Sequence, residues 1–214
     1  MTAPAPLPSS PSARAPWQWL LLGLLAVAAA HLADRWAWQA LLDKHFANTD
    51  LGRLVRIQGY LPTWILVGAA LVLTDWPRRA AEGWRGAWRR GLLVVGSAAV
   101  GGLLAEVVKL LVRRERPGDT GEYIFRAWSN RPFSTSGLGM ASSHVLVASA
   151  ALAMLARLFP RTAPICYLLA IGCAYSRVAA GAHYLSDVTA ALVLGVLVAE
   201  LLWRRFRPGP ATSP

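Results

Sequence analysis

The chain has 214 residues, 55% of them hydrophobic and only 15% charged, with a formal net charge of +11. That balance excludes an ordinary soluble domain, which carries more charge and interrupts its apolar runs. The positive charge does not mark a nucleic-acid binder either, because Lys and Arg stand between or at the ends of apolar runs rather than on one soluble face.

In chain order, residues 1–16 are rich in Ala, Pro and Ser and read as a disordered tail. Apolar runs follow at roughly 17–34, 57–75, 91–112, 143–159, 163–179 and 184–203. At about 17–20 residues each is long enough to cross a hydrocarbon core of about 30 Å as a helix. The runs are solidly apolar rather than alternating, which favours helices over the strands of a barrel. The expected fold is therefore all-α: one polytopic membrane bundle of about six transmembrane helices over 17–203, then a basic tail at 204–214. Arg14 followed by Leu20–Ala30 also fits a cleavable leader, but polytopic proteins seldom need one, so the run is expected to be the first span.

Arg78, Arg79, Arg85, Arg89 and Arg90 crowd the second connection, Arg157 and Arg161 the fourth, and Arg204, Arg205 and Arg207 follow the last run. With Arg14, these fall on one side, which the positive-inside rule makes cytoplasmic. The plain count is even, 11 of the 22 basic residues on each side, but the inner set is packed into short loops, where the rule is strongest. Both termini are thus expected inside. Trp17, Trp19, Trp36, Trp38, Trp64, Trp76, Trp84, Trp88 and Trp203 lie at or near the ends of runs, the depth that amphipathic rings prefer. Cys166 and Cys173 share a helical face about 10 Å apart, too far for a disulfide. Gly91, Gly96, Gly101 and Gly102 are expected to permit close helix packing.

Three patches place costly groups beside hydrocarbon, where a charge costs roughly 2.5–3.5 kcal/mol at the bilayer centre. The first is Lys109 with Arg116-Pro117: Arg offers a planar fork for phosphate oxygens, Lys a compact charge, and Pro117 favours a turn out of helical geometry. Between them, Arg113 and Arg114 are expected to snorkel from the helix end toward lipid head groups. Glu106, one turn before Lys109, is placed to pair with it. The second patch is Ser142-Ser143-His144 at the start of the fourth run, where free N–H groups and the helix dipole favour an anion. The third is Ser176-Arg177 with His183 and Asp187. His183 and Asp187 are i and i+4 on one face, so the carboxylate can hold one ring nitrogen and leave the other free as nucleophile. A two-ligand piece of a metal site is the rival reading, disfavoured by the surrounding cations. Ser176 is expected to cap a helix. His31 and His45 fall outside the patches.

Read together, K-x6-R-P, S-x-H and S-R-x5-H-x3-D resemble the motifs of the type 2 phosphatidic acid phosphatase superfamily, the membrane lipid phosphatases. The resemblance covers about 90–203. The first and third motifs match at every defining position; the second, usually Pro-Ser-Gly-His, reads Ala141-Ser142-Ser143-His144 and lacks the rigid turn of proline. The resemblance implies that His183 attacks phosphorus, that Asp187 orients it, and that His144 protonates the leaving group. It further implies that Lys109, Arg116, Ser142, Ser143 (through nearby N–H groups) and Arg177 hold the phosphate oxygens, with no metal and no cofactor. The expected substrate is a phosphorylated membrane lipid, undecaprenyl diphosphate ahead of phosphatidylglycerophosphate, phosphatidic acid or a lipid A phosphate. The expected setting is the outer face of a bacterial cytoplasmic membrane. A lipid phosphotransferase with the same phosphohistidine, or a non-catalytic lipid-binding or transport protein, are the alternatives. Substrate choice is expected to reside in segments 35–56 and 118–141.

Overall fold

In the computed structural model, residues 16–206 are described apart from residue 120. The expected tails therefore lie almost wholly outside the described residues. Those residues form eight α-helices and no strand: α1 Pro16–Leu41, α2 Lys44–Asn48, α3 Asp50–Ile57, α4 Leu61–Asp75, α5 Arg79–Val112, α6 Ser143–Leu158, α7 Ala163–Ala179 and α8 Leu185–Phe206. Two stretches of single helix, Gln18–Leu41 and Leu185–Phe206, are long and apolar enough to cross a bilayer, as are Pro160–Ala179 and the composite Leu61–Val112. The composite is not straight. Trp76–Arg78 form a 3-10 turn, and Gly83 adopts φ 66° and ψ −167°, a conformation that L side chains rarely enter. Beyond this break α5 runs back along α4, with Arg90 donating to Asp75 at 2.5 Å and Gly91 beside Gly68.

The six expected apolar runs fall in α1, α4, α5, α6, α7 and α8; α1 runs on to Leu41, α5 starts earlier at Arg79 and α8 ends later at Phe206, whereas α4 begins only at Leu61. The segment 35–56, expected to be an outer connection, is largely helical: it includes the last turns of α1, all of α2 and most of α3. Helix α6 has only 16 residues. It packs against α5, α7 and α8, and most of its side chains are buried, including Ala148, Ala150, Ala151 and Ala153, whose small size lets neighbouring backbones approach. The outward positions of the other helices are apolar, among them Leu24, Leu32, Leu66, Leu103, Leu168 and Leu201. Apolar side chains facing outward all round a bundle mark a lipid-facing belt, and the chain is an integral membrane protein.

At one end of the bundle the short-loop arginines form ion pairs. Arg90 and Arg78 engage the buried Asp75, while Arg157 and Arg204 both engage Glu200, joining α6 to α8. This end is stitched by ion pairs rather than simply solvated. The tryptophans divide: Trp19, Trp36, Trp84 and Trp88 are exposed near helix ends, but Trp64 is 1% exposed and donates Nε1–H to the carbonyl of Gln58 at 2.7 Å. Trp64 is core, with its polar handle satisfied.

The glycines of α5 also divide. A Cβ on Gly91 would lie 2.5 Å from the carbonyl oxygen of Gly68, and one on Gly101 would lie 3.0 Å from that of Leu146, so both mark close helix crossings. Gly102 would meet Val147 at 3.2 Å. Gly96 meets nothing within 4 Å and serves no crossing. Gly96→Ala is therefore expected to raise stability by about 0.5–1 kcal/mol, and Gly91→Ala to lower it. Thermal unfolding of the two variants in one detergent distinguishes them.

Candidate active site

The site is built at the end of the bundle opposite the arginine-paired turn. Helix α5 stops at Arg113, whose φ of 56° is left-handed, and the chain continues extended. Residues 113–116 form the middle of a small hydrogen-bonded patch. Glu115 N–H donates to the carbonyl of Ile124 at 2.8 Å, and Arg126 N–H to that of Arg113 at 3.0 Å. On the other edge, Arg116 N–H donates to Gly137 at 3.0 Å and Gly139 N–H to Arg114 at 2.8 Å. This pairing brings Arg116 alongside the 137–143 segment that opens α6. Gly139 sits where a Cβ would come within 2.9 Å of Asp187 Oδ2, so the three patches meet there.

Arg113 and Arg114 do not snorkel. Both are buried. Arg113 donates to four loop carbonyls, those of Arg126, Ala127, Asn130 and Pro132, at 2.8–3.0 Å, with its guanidinium 4.6 Å from the centroid of Trp128. It organises the outer loop. Arg114 turns inward between Asp34 and Asp187: it pairs with Asp187 Oδ1, approaches Asp34 Oδ2 at 3.5 Å and donates to Ser186 Oγ at 2.7 Å. Tyr123 and Tyr184 cover it, with ring centroids at 5.2 and 4.9 Å. Asp34 in turn accepts Ser186 N–H at 2.7 Å and the Tyr123 hydroxyl at 2.9 Å. Low-dielectric burial penalises these charges, and the pairing of each with an opposite charge offsets that cost. The signal for this network was present in the sequence as Asp34, an acid at the end of the first apolar run.

Lys109 is buried. Its Nζ donates to Glu106 Oε1 at 2.7 Å and contacts Ser143 Oγ, which itself donates to Glu106 at 2.7 Å. The expected Glu106–Lys109 pair is present, and Ser143 is its third member. Ser142 is the residue before α6; its Oγ is buried without a partner among the described residues. His144, in the first turn of α6, meets the Tyr60 ring edge-on at 4.8 Å.

Arg177 closes α7, 8% exposed, with Nε unpartnered among the described residues. The short loop to α8 carries His183, also buried. Its Nδ1 lies 3.5 Å from Asp187 Oδ2, too long for a good hydrogen bond, and makes none among the described residues. The same carboxylate oxygen accepts Tyr184 N–H at 2.9 Å, so Asp187 is locked from both sides while His183 keeps Nε2 free. Burial, reinforced by Arg177 and Arg116, holds the His183 imidazole below its ordinary pKa, against the upward pull of Asp187. Arg177, His183 and Arg116 all lie within electrostatic range of His144. Ser176 Oγ donates to the carbonyl of Cys173 at 2.8 Å, bonding within its own helix. His31 stacks on Tyr123 at 5.1 Å, outside this centre. A cavity of about 250 Å³ opens beside the His183 loop and Pro117, lined also by Trp38, Leu42, Lys44 and Asp119. Among the described residues no group of three or more His, Cys, Asp or Glu side chains is placed to hold a metal ion.

The fold and site define a polytopic membrane protein in which buried cations and two histidines converge at one end of a helical bundle. The chain belongs to the PAP2 superfamily, which matches residues 90–208. The fold is similar to that of the first transmembrane PAP2 type phosphatidylglycerolphosphate phosphatase from Bacillus subtilis. The TM-score is 0.62 at 21% identity, over 89% of this chain and 94% of that one. No curated protein matches the chain.

Removing Arg114 strands two buried carboxylates. Arg114→Leu is expected to cost about 3–5 kcal/mol, the penalty for breaking a buried pair from one side. A lowered melting temperature of the detergent-solubilised protein checks it; an unchanged one would contradict the network.

Proposed function

We propose that this protein is a metal-independent phosphatase of a membrane lipid phosphate, acting through a phosphohistidine. The observation that carries the reading is His183 beside Asp187, with Nε2 making no hydrogen bond among the described residues. It stands next to Arg177, whose Nε is unpartnered among them, and within electrostatic range of Arg116 and His144. Unpartnered buried cations are costly unless an anion completes them. A tetrahedral phosphoryl group does so, and PAP2 membership supports it.

In the first step His183 Nε2 forms a bond to phosphorus as the bond from phosphorus to the lipid oxygen breaks, and His144 gives that oxygen a proton. In the second, water attacks the phosphohistidine while His144 takes the water's proton; inorganic phosphate leaves and His183 is neutral again. Arg116, Arg177, Lys109 and the Ser142 hydroxyl, with N–H groups at the start of α6, hold the non-bridging oxygens. Positioning and charge stabilisation supply most of the catalysis, as phosphoryl transfer requires. Among candidate lipids we place undecaprenyl diphosphate first. The name of the structural neighbour also keeps phosphatidylglycerophosphate in view. The end whose arginines sit in short loops is read as cytoplasmic, with the site on the outer face of a bacterial cytoplasmic membrane.

Phosphate release by the purified protein, with EDTA present, across undecaprenyl diphosphate, phosphatidylglycerophosphate, phosphatidic acid and a lipid A phosphate tests the reading. His183→Ala should abolish release, and His144→Ala should lower it about 10²–10⁴-fold. Inhibition by EDTA would overturn metal independence. Transfer of phosphate to a second lipid without release would mark a phosphotransferase, and no turnover on any lipid would favour a binding protein.

The pH profile has a definite sign. His183 must be neutral to attack, and its pKa lies below the ordinary value of 6.5. The acid limb of kcat/KM, which reports the free enzyme, should therefore fall below pH 6.5. Asp187→Asn removes the upward influence and should move that limb further down while slowing the reaction.

A further inference from the structure

Helix α3 and the turn after it lie outside the segment matched by the family, yet they form a wall of the same site. Val55 is buried and packs on α7, where a Cβ on Gly172 would meet its Cγ1 at 3.0 Å. Gly59 is pressed against His144: a Cβ there would lie 2.5 Å from His144 Cβ and 2.8 Å from its Cα. Tyr60 then places its ring edge-on to the His144 imidazole. Between these anchors stands Arg56. Its carbonyl accepts Gly59 N–H at 2.9 Å, and its half-buried side chain makes no hydrogen bond or ion pair among the described residues. Its charge nonetheless bears on both His144 and Arg177.

The charge balance at the site separates used cations from free ones. Lys109 is offset by Glu106, Arg114 by Asp34 and Asp187, and Arg126 by Glu115. Arg113 is spent on carbonyls. Of the cations left without an ion pair among the described residues, Arg116, Arg177 and Arg56 are the three guanidiniums bearing on His144. A phosphomonoester brings about −1.5 to −2, which the first two already balance. Arg56 is surplus to a single phosphate.

We infer that Arg56 binds a second phosphoryl group of the substrate head group, making α3 the element that selects lipids carrying two phosphoryl groups over those carrying one. This rests on the phosphatase reading. A diphosphate ester supplies the second group directly, and a phosphodiester one glycerol away from the cleaved phosphate supplies it at longer reach; Arg56, on the wall beside His144, meets either one beyond the reacting phosphorus. Guanidinium recognition of phosphate is bidentate and charge-assisted, so its loss is felt in substrate binding.

The test compares wild type with Arg56→Gln on undecaprenyl diphosphate, phosphatidylglycerophosphate and phosphatidic acid. Arg56→Gln should lose about tenfold or more in kcat/KM on the lipids with two phosphoryl groups, chiefly through KM. It should lose under about threefold on phosphatidic acid, and Arg56→Lys should recover part of the loss. Loss on only one of the two tells a diphosphate subsite from a phosphodiester subsite. Equal loss on all three lipids, or none on any, would overturn the inference. A second readout needs no turnover: pyrophosphate should stabilise the wild type against heat more than inorganic phosphate does, and Arg56→Gln should erase that difference. If no lipid is hydrolysed yet pyrophosphate is still preferred through Arg56, the phosphatase reading fails and the subsite stands. If hydrolysis occurs without that preference and Arg56→Gln loses nothing selectively on either lipid with two phosphoryl groups, the reverse holds.

Discussion

A guanidinium closed between two carboxylates, all buried, governs how this bundle is assembled. Arg114 lies at the outlet of α5, Asp34 near the end of α1, and Asp187 in the first turn of α8. Three helices distant in sequence therefore share one electrostatic centre. Each charge would be expensive there alone, so the helices cannot part without exposing one of them to a low-dielectric interior. Satisfaction of that triad fixes the angle at which Asp187 faces His183, and the loop that supplies Arg114 simultaneously brings Arg116 and Gly139 to the same point. Structural neutralisation and the geometry of the candidate site are thus two results of one arrangement.

The contrast with the neighbouring groups is informative. Asp34, Arg114, Ser186 and Asp187 bond one another and the surrounding backbone, whereas Ser142 Oγ and Arg177 Nε are buried without partners among the described residues. A protein satisfies its buried polar groups wherever folding alone is at stake. Arg114 Nε also lacks a partner among those residues, but both of its carboxylate neighbours are bonded, whereas Ser142 Oγ and Arg177 Nε have no such network around them.

Much of this was legible in the sequence because the chemistry is local. Lys109 and Arg116, Ser142 to His144, and Arg177 to Asp187 each lie within one helix end or turn, so spacing alone places them. Glu106 and Lys109 are a helical i, i+3 pair and find each other. Arg113 and Arg114 were misread because an arginine at a helix end has two destinations, head groups or buried acceptors. The choice depends on a loop that folds back from residues 124–139 and on Asp34, 80 residues away. Gly96 and Trp64 failed for a similar reason: a glycine in α5 or a tryptophan near a helix end has no face until its neighbours are known. The short helices α2 and α3 were hidden in a segment too mixed in composition to show an apolar run.

The contribution of Asp34 and of Gly59–Tyr60 also revises what counts as the working unit. The motif signature and the family match begin near residue 90, but the acid that balances Arg114 comes from α1 and the surface that seats His144 comes from the α3–α4 turn. A chain trimmed to its recognisable core would retain every motif residue and lose the frame that aims two of them. A substitution at Asp34 or Gly59 would then disturb Asp187 or His144 without touching a motif position.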